Sequence, residues 1–215
     1  MPFRTVLFDL DGTLLDHFGA IHRCHAHAMQ QIGLPPPTRE QVYRAIGRGL
    51  EDAIADLAGR ENIARILPLY LEHWRTTNLQ DVALLPGARE LLTALRQRGV
   101  VAGVLTNKRG EAAREVCAHL GIAPLLAGIF GANDTPWLKP QPEFAAHALA
   151  ALGGTAETAA LIGDSIYDLA AAQQAGLAFL GVTTGTHTAA ELHAHGATEV
   201  FPGLPELSPT LLARV

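Results

Sequence analysis

The chain has 215 residues, 48% of them hydrophobic, which suits a folded protein with a packed core and excludes a disordered polymer. A net charge of −5 with no basic run argues against nucleic acid as a partner. No apolar stretch reaches membrane-spanning length, the N-terminus leads directly into a strand with no signal peptide expected, and the only cysteines, Cys24 and Cys117, suit a reducing cytoplasm.

The first element is a buried strand, Thr5 to Phe8, running into Asp9-Leu10-Asp11-Gly12-Thr13. Residues two apart in extended backbone point to one side, so the strand delivers Asp9 and Asp11 together to a sheet edge. Gly12 permits a sharp exit. Two carboxylates this close need a compensating cation or a shared proton. A divalent ion with oxygen ligands, Mg2+, answers that need; a solvated Asp-Gly turn is the plainer alternative.

From Asp16 to about Gln80 the pattern is helical, with no strand signal. His17 to Ile32 forms a helix closed by Gly33, followed by Pro35-Pro36-Pro37. Thr38 and Gln41 form a capping box for a second helix. Gly47-Arg48-Gly49 interrupts the pattern before Glu51 to Ala58, and Ile63 to Thr76 is a further helix in which Pro68 marks a kink point. Residues 16–81 therefore read as an inserted α-helical cap. His22 and His25 share one face of the first cap helix, and a polar face explains them more simply than a metal site. Arg48, flanked by glycines, is either a solvated arginine or a substrate reader.

From Leu84 onward strands alternate with helices: helix to Gln97, strand Val100 to Leu105, helix Glu111 to Leu120, strand Ala127 to Phe130, and helix Glu143 to Leu152. Strand Ala159 to Ile162, helix Tyr167 to Gln174, strand Ala178 to Val182, helix Ala189 to His195 and strand Glu199 to Phe201 follow. This alternation predicts an α/β core, residues 1–15 and 82–215, with a doubly wound, mostly parallel sheet.

Three further polar groups sit at strand ends or in their loops. Thr106-Asn107 ends the second core strand, where a hydroxyl and an N–H can meet a phosphoryl oxygen or merely finish a strand. Lys139-Pro140 precedes a helix; its ammonium is one of only two in a chain with fourteen arginines, the other being Lys108. Gly163-Asp164-Ser165-Ile166-Tyr167-Asp168 puts two carboxylates at i and i+4 as strand becomes helix, where Asp164 is either an N-cap or a ligand.

Taken together, D-x-D-G-T, the Thr after the second strand, K-P and G-D-x-x-x-D resemble the four motifs of the haloacid-dehalogenase-like superfamily. Leu85-Pro86-Gly87, Leu105-Thr106-Asn107-Lys108 and Lys139-Pro140-Gln141-Pro142 are similar to its phosphoglycolate-phosphatase-like branch. His17 departs from that pattern, standing where relatives often carry Ser. The resemblance implies a cytoplasmic Mg2+-dependent phosphomonoester phosphatase acting on a small phosphorylated metabolite, with 2-phosphoglycolate the best single substrate. It implies Asp9 as nucleophile, Asp11 as general acid and base, and Mg2+ on Asp9, Asp11 and Asp164. Thr106, Asn107 and Lys139 would hold the phosphoryl oxygens, and Asp168 would orient Lys139. Rival readings are a sugar phosphomutase, a pyrophosphatase, a nucleotidase, or a regulatory binding module that has lost catalysis.

Overall fold

A computed structural model describes residues 2–215. In chain order its elements begin with β1 (Thr5–Phe8), β2 (Leu15–Asp16), α1 (Phe18–Gln31), α2 (Arg39–Ala45), α3 (Leu50–Ala58) and α4 (Ile63–Thr77). There follow β3 (Ala83–Leu84), α5 (Ala88–Gln97), β4 (Val101–Arg109), α6 (Gly110–His119), β5 (Gly128–Ala132) and α7 (Pro142–Leu152). The chain closes with β6 (Ala159–Gly163), α8 (Ile166–Ala175), β7 (Ala178–Val182), α9 (Ala189–Ala194), β8 (Val200–Phe201) and α10 (Leu204–Leu212).

Six strands form one sheet in the order β5-β4-β1-β6-β7-β8, and every pairing is parallel. This is the α/β, doubly wound sheet that the alternating pattern predicts. Alternate residues of β1 serve opposite layers. Val6 and Phe8 pack with Leu91, Leu95, Val116 and Leu207, whereas Leu7 packs with Phe144, Ala148 and Ala171. Each fully buried side chain of this size contributes roughly 1.5–3 kcal/mol, so the central strand is firmly fixed. The chain leaves β1 toward β4 and β5 on one side and fills β6, β7 and β8 on the other. The crevice where strand order reverses is thus at the carboxyl end of β1, where Asp9 and Asp11 stand.

Helices α1 to α4 bury an apolar cluster of their own, including Ile21, Cys24, Met29, Val42, Ile54, Ile66, Tyr70 and Trp74. Thr38 caps α2 through the expected box with Gln41. Helix α4 continues through Pro68. Two short strands escape the sequence pattern: Leu15–Asp16 pairs antiparallel with Ala83–Leu84 where the chain enters and leaves the helical layer. A two-residue strand carries too little periodicity to be read locally. The second core strand also runs past Leu105 to Arg109, with a register irregularity over that stretch, and the helix Leu204–Leu212 was not expected because Pro205 and Pro209 mask its pattern.

His25 lies in the interior of the helical layer, its ring tilted against Tyr70 with centroids 4.7 Å apart. Burial, with His22 nearby, pushes its pKa down from 6.5 to about 4, so the fold holds it neutral. Between those two values the unfolded chain takes up a proton that the fold excludes, and stability present above pH 6.5 is lost as pH falls toward 4. We expect His25→Phe to lose less stability than the parent between pH 7 and pH 5 in urea titrations, by on the order of 1–3 kcal/mol. Identical pH dependence in the two proteins would show that His25 titrates in the fold as it does in the unfolded chain.

Candidate active site

Asp9 follows β1 directly, and its N–H donates to the Ile162 carbonyl at 2.8 Å, continuing the pairing with β6. Its Oδ1 accepts from Lys139 Nζ at 2.7 Å, and the same ammonium donates to Asp168 Oδ1 at 2.6 Å. All three groups are buried. Asp168 is fixed from its other oxygen, which accepts from Ser165 Oγ at 2.6 Å and Ser165 N at 3.0 Å. Ser165, not Asp164, is therefore the N-cap of α8, and Asp164 is released toward Asp9. Asn107 holds the lysine loop in place: its Oδ1 accepts from Lys139 N at 2.8 Å and its Nδ2 donates to Lys139 O at 3.0 Å.

Asp164 has a second set of partners that the sequence reading did not identify. Its Oδ1 accepts from Thr13 Oγ1 at 3.1 Å, and its Oδ2 from Thr186 N at 2.7 Å and Thr186 Oγ1 at 3.0 Å. The loop after β7 crosses so closely that a Cβ on Gly12 would stand 2.8 Å from Gly185 Cα and 3.0 Å from the Asp164 carboxyl carbon. Gly12 adopts φ +88°, so glycine is required there for both backbone and space. The available signal was the run of small residues Thr183-Thr184-Gly185-Thr186 after a strand.

Asp11 lies apart from the other carboxylates. Its Oδ1 and Oδ2 accept from Lys108 Nζ at 3.1 and 2.9 Å. Asp9 and Asp11 thus each pair with their own lysine. Lys108, noted in the sequence as one of two lysines and as part of Leu105-Thr106-Asn107-Lys108, thus lines the cavity against Asp11. His17 flanks Asp11, with Nδ1 3.7 Å from Oδ1. Its Nε2 donates to the Asn78 carbonyl at 2.6 Å, which leaves Nδ1 as the bare nitrogen of the neutral ring. Burial, with the Lys108 charge, pushes His17 down to about 4.

The carboxylates of Asp9, Asp164 and Asp168 offer oxygens within 4.8 Å of one another. Burial pushes Asp9 up to about 6, with Lys139 opposing and Asp168 adding to the rise. Burial, then Asp168 and Asp9, push Asp164 up to about 8. Burial opposes the charge on Lys139, yet Asp168 and Asp9 hold it protonated. Three buried carboxylates against one ammonium leave uncompensated negative charge on hard oxygen donors, which fits a divalent cation such as Mg2+. Asp9, Asp164 and Asp168 are the side chains whose oxygens could hold it.

A cavity of about 180 Å3 opens above these groups. Asp9, Asp11, Thr106, Asn107, Lys108, Asp164 and Thr186 line its floor, and Ile21, Ile46, Leu50, Tyr70, Leu71 and Trp74 its roof. Thr106 and Asn107 are buried there as the second core strand ends. Arg48 is not brought to the cavity. It pairs with Asp56 and is partly exposed, whereas Gly47 and Gly49 do line the cavity. The glycines serve close approach: the Gly47 carbonyl accepts from Asn107 Nδ2 at 2.8 Å, and a Cβ there would stand 2.9 Å from the Tyr167 ring.

A parallel doubly wound sheet with paired lysines and carboxylates at its switch point defines a phosphoryl-transfer type of hydrolase. The family model of the haloacid dehalogenase-like hydrolases matches residues 6–182, and the chain belongs to that family. It is 32% identical to a phosphoglycolate phosphatase of Cereibacter sphaeroides, over 97% of this chain and 99% of that one. A 5'-nucleotidase of Pseudomonas aeruginosa is 31% identical, over 98% and 96%. A solved chain from Bacteroides fragilis, described as a haloacid dehalogenase-like hydrolase, superposes with a TM-score of 0.90 at 27% identity, over 95% of this chain and 99% of that one. Within the family the chain is a phosphatase. No helix among the described residues is long and apolar enough to cross a membrane.

The raised pKa of Asp164 carries a stability cost in metal-free protein. Its protonated form is favoured in the fold, so stability declines as pH rises from the ordinary 3.8 toward about 8. Asp164→Asn removes the charge and keeps its partners, because the Thr13 hydroxyl accepts as readily as it donates. The variant should therefore melt higher than the parent in chelator at pH 7.5, by about 2–4 °C for each kcal/mol relieved. It should also lose the parent's further rise on adding Mg2+. A variant that melts lower in chelator, or still responds fully to Mg2+, would contradict this account of the site.

Proposed function

We propose that the protein is a cytoplasmic Mg2+-dependent phosphomonoester phosphatase that works through an aspartyl-phosphate on Asp9, with 2-phosphoglycolate as the first substrate to test. The observation that carries the reading is the placement of Asp9. It is buried at the switch point, bonded to Lys139, beside Asp164, with Asp11 lining the same cavity.

In the first step Asp9 forms a bond to phosphorus as the bond to the leaving oxygen breaks, and Asp11 gives that oxygen a proton. In the second, Asp11 takes a proton from water as the water oxygen attacks phosphorus, releasing phosphate and restoring the Asp9 carboxylate. Lys139, the Thr106 hydroxyl and the Asn107 backbone N–H hold the other phosphoryl oxygens as charge builds on them. Asp168 keeps the ammonium of Lys139 aimed at Asp9. Mg2+ on Asp9, Asp164 and the Asp11 backbone carbonyl would screen the repulsion between carboxylates and phosphate. Residues 16–81 act as a cap on the core formed by 1–15 and 82–215. The paired strands Leu15–Asp16 and Ala83–Leu84 bind its two connections into one hinge.

Phosphate release from a panel of phosphorylated metabolites tests the reading. Asp9→Asn should fold normally and lose nearly all turnover, and excess chelator should silence the parent. A fully active Asp9→Asn, or unimpaired turnover in chelator, would contradict it. A requirement for a bisphosphate activator, with phosphoryl return to product, would make the protein a phosphomutase. Preference for pyrophosphate or nucleotides would favour those rivals. Binding without turnover of any phosphate ester would leave a lapsed binding module.

A further inference from the structure

We infer that Lys108 is the residue that selects the leaving group, and that it selects for a carboxylate on the carbon next to the scissile oxygen. This rests on the phosphatase reading with its 2-phosphoglycolate substrate and adds the residue that reads the carboxylate of the 2-hydroxy acid leaving group.

Lys108 lies two residues past Thr106, and its N–H donates to Thr106 Oγ1 at 3.2 Å. Its ammonium is held between two groups. It donates to both oxygens of Asp11 and sits over the Trp74 ring, 4.6 Å from the centroid. The side chain is 8% exposed. Asp11 must touch the leaving oxygen to protonate it, so the Lys108 ammonium lies one hydrogen bond beyond Asp11 and two from that oxygen. A carboxylate on the adjacent carbon has its own oxygens roughly 3 Å from the leaving oxygen, three covalent bonds on. A leaving group seated on Asp11 therefore brings that carboxylate within hydrogen-bond reach of Lys108.

Charge leads to the same residue. Lys139 is shared by two carboxylates, Asp9 and Asp168. Lys108 has one, and that one serves proton transfer. The roof of Ile21, Ile46, Leu50, Tyr70, Leu71 and Trp74 offers a substrate anion no compensating charge. Among the other cations along the cavity, Arg109 pairs with Glu51 at 3.5 Å and Arg75 is exposed. Lys108 is therefore the buried cation positioned to pair with a substrate anion away from the phosphoryl group, and Trp74 keeps water from competing.

The test compares 2-phosphoglycolate with 2-hydroxyethyl phosphate, which replaces the carboxylate with a neutral CH2OH of similar size. Wild-type kcat/KM should favour 2-phosphoglycolate by about 30-fold or more, the scale of a buried charged pair losing one partner. Lys108→Met should erase most of that preference, Lys108→Arg should retain part of it, and Arg75→Ala should leave it in place. Wild-type enzyme that hydrolyses both esters equally well would overturn the inference while leaving the phosphatase standing, and needs no variant to fold. Equal losses on both esters in Lys108→Met would likewise overturn it, reducing Lys108 to a positioning residue for Asp11. Loss of the preference in Arg75→Ala alone would assign the carboxylate to that residue instead. Wild-type enzyme that hydrolyses no phosphomonoester would instead refute the underlying phosphatase reading.

Discussion

The site depends on one buried ammonium. Lys139 lies between Asp9 and Asp168, within 2.7 Å of each. A carboxylate buried with no partner would be forced to take up a proton, and a protonated Asp9 is no nucleophile. Neither would a lysine in this interior stay charged alone. The pairing keeps Asp9 closer to its ionised form than burial alone would, and it holds the cation where phosphoryl oxygens arrive. The arrangement depends in turn on Asn107, which clasps the lysine backbone from both sides, and on Ser165, which fixes the far oxygen of Asp168. Removing either group would leave the catalytic residues in place but misaimed.

A second lysine repeats the arrangement at Asp11. The two carboxylates of the D-x-D stretch are thus separated electrically, one paired with Lys139 and one with Lys108. This division explains how a chain with fourteen arginines and two lysines uses both lysines at one site. A compact ammonium on a flexible stem can reach a buried carboxylate from a strand end or loop, where a guanidinium fork needs more room. The helical layer meets the same pair from above: Trp74 covers Lys108, and the Gly47 carbonyl rests on Asn107. The helical layer and the sheet thus meet at Lys108 and Asn107 on the floor of the cavity.

The fold was legible because its signals are local. Val6 through Phe8 and Ala159 through Ile162 are apolar runs too short for helices, and Gly99, Gly121 and Gly176 stop the helices between strands. The participation of Asp9, Asp164, Asp168 and Lys139 in one cluster was legible only through their joint order after successive strands. The partners of that cluster were not legible. Thr13 and Thr186 reach Asp164 across sequence separations of 151 and 22 residues, and nothing local announces such a bond. Arg48 shows the opposite failure. Its flanking glycines were a true signal, but of backbone packed against Asn107 and Tyr167, not of a side chain turned inward. The surroundings of Lys108 were not legible, because only the tertiary fold shows it enclosed by Asp11 and Trp74.

The central claim is that the phosphoryl group passes through Asp9. Acid quench of the wild-type enzyme during turnover with Mg2+ and 2-phosphoglycolate, followed by mass analysis of the peptide spanning Phe3 to Arg23, addresses it directly. The account predicts a phosphoryl adduct on Asp9 that appears within the first turnover, is sensitive to hydroxylamine, and is absent from Asp9→Asn. Full turnover with no adduct at any quench time, or an adduct on another residue, would contradict it.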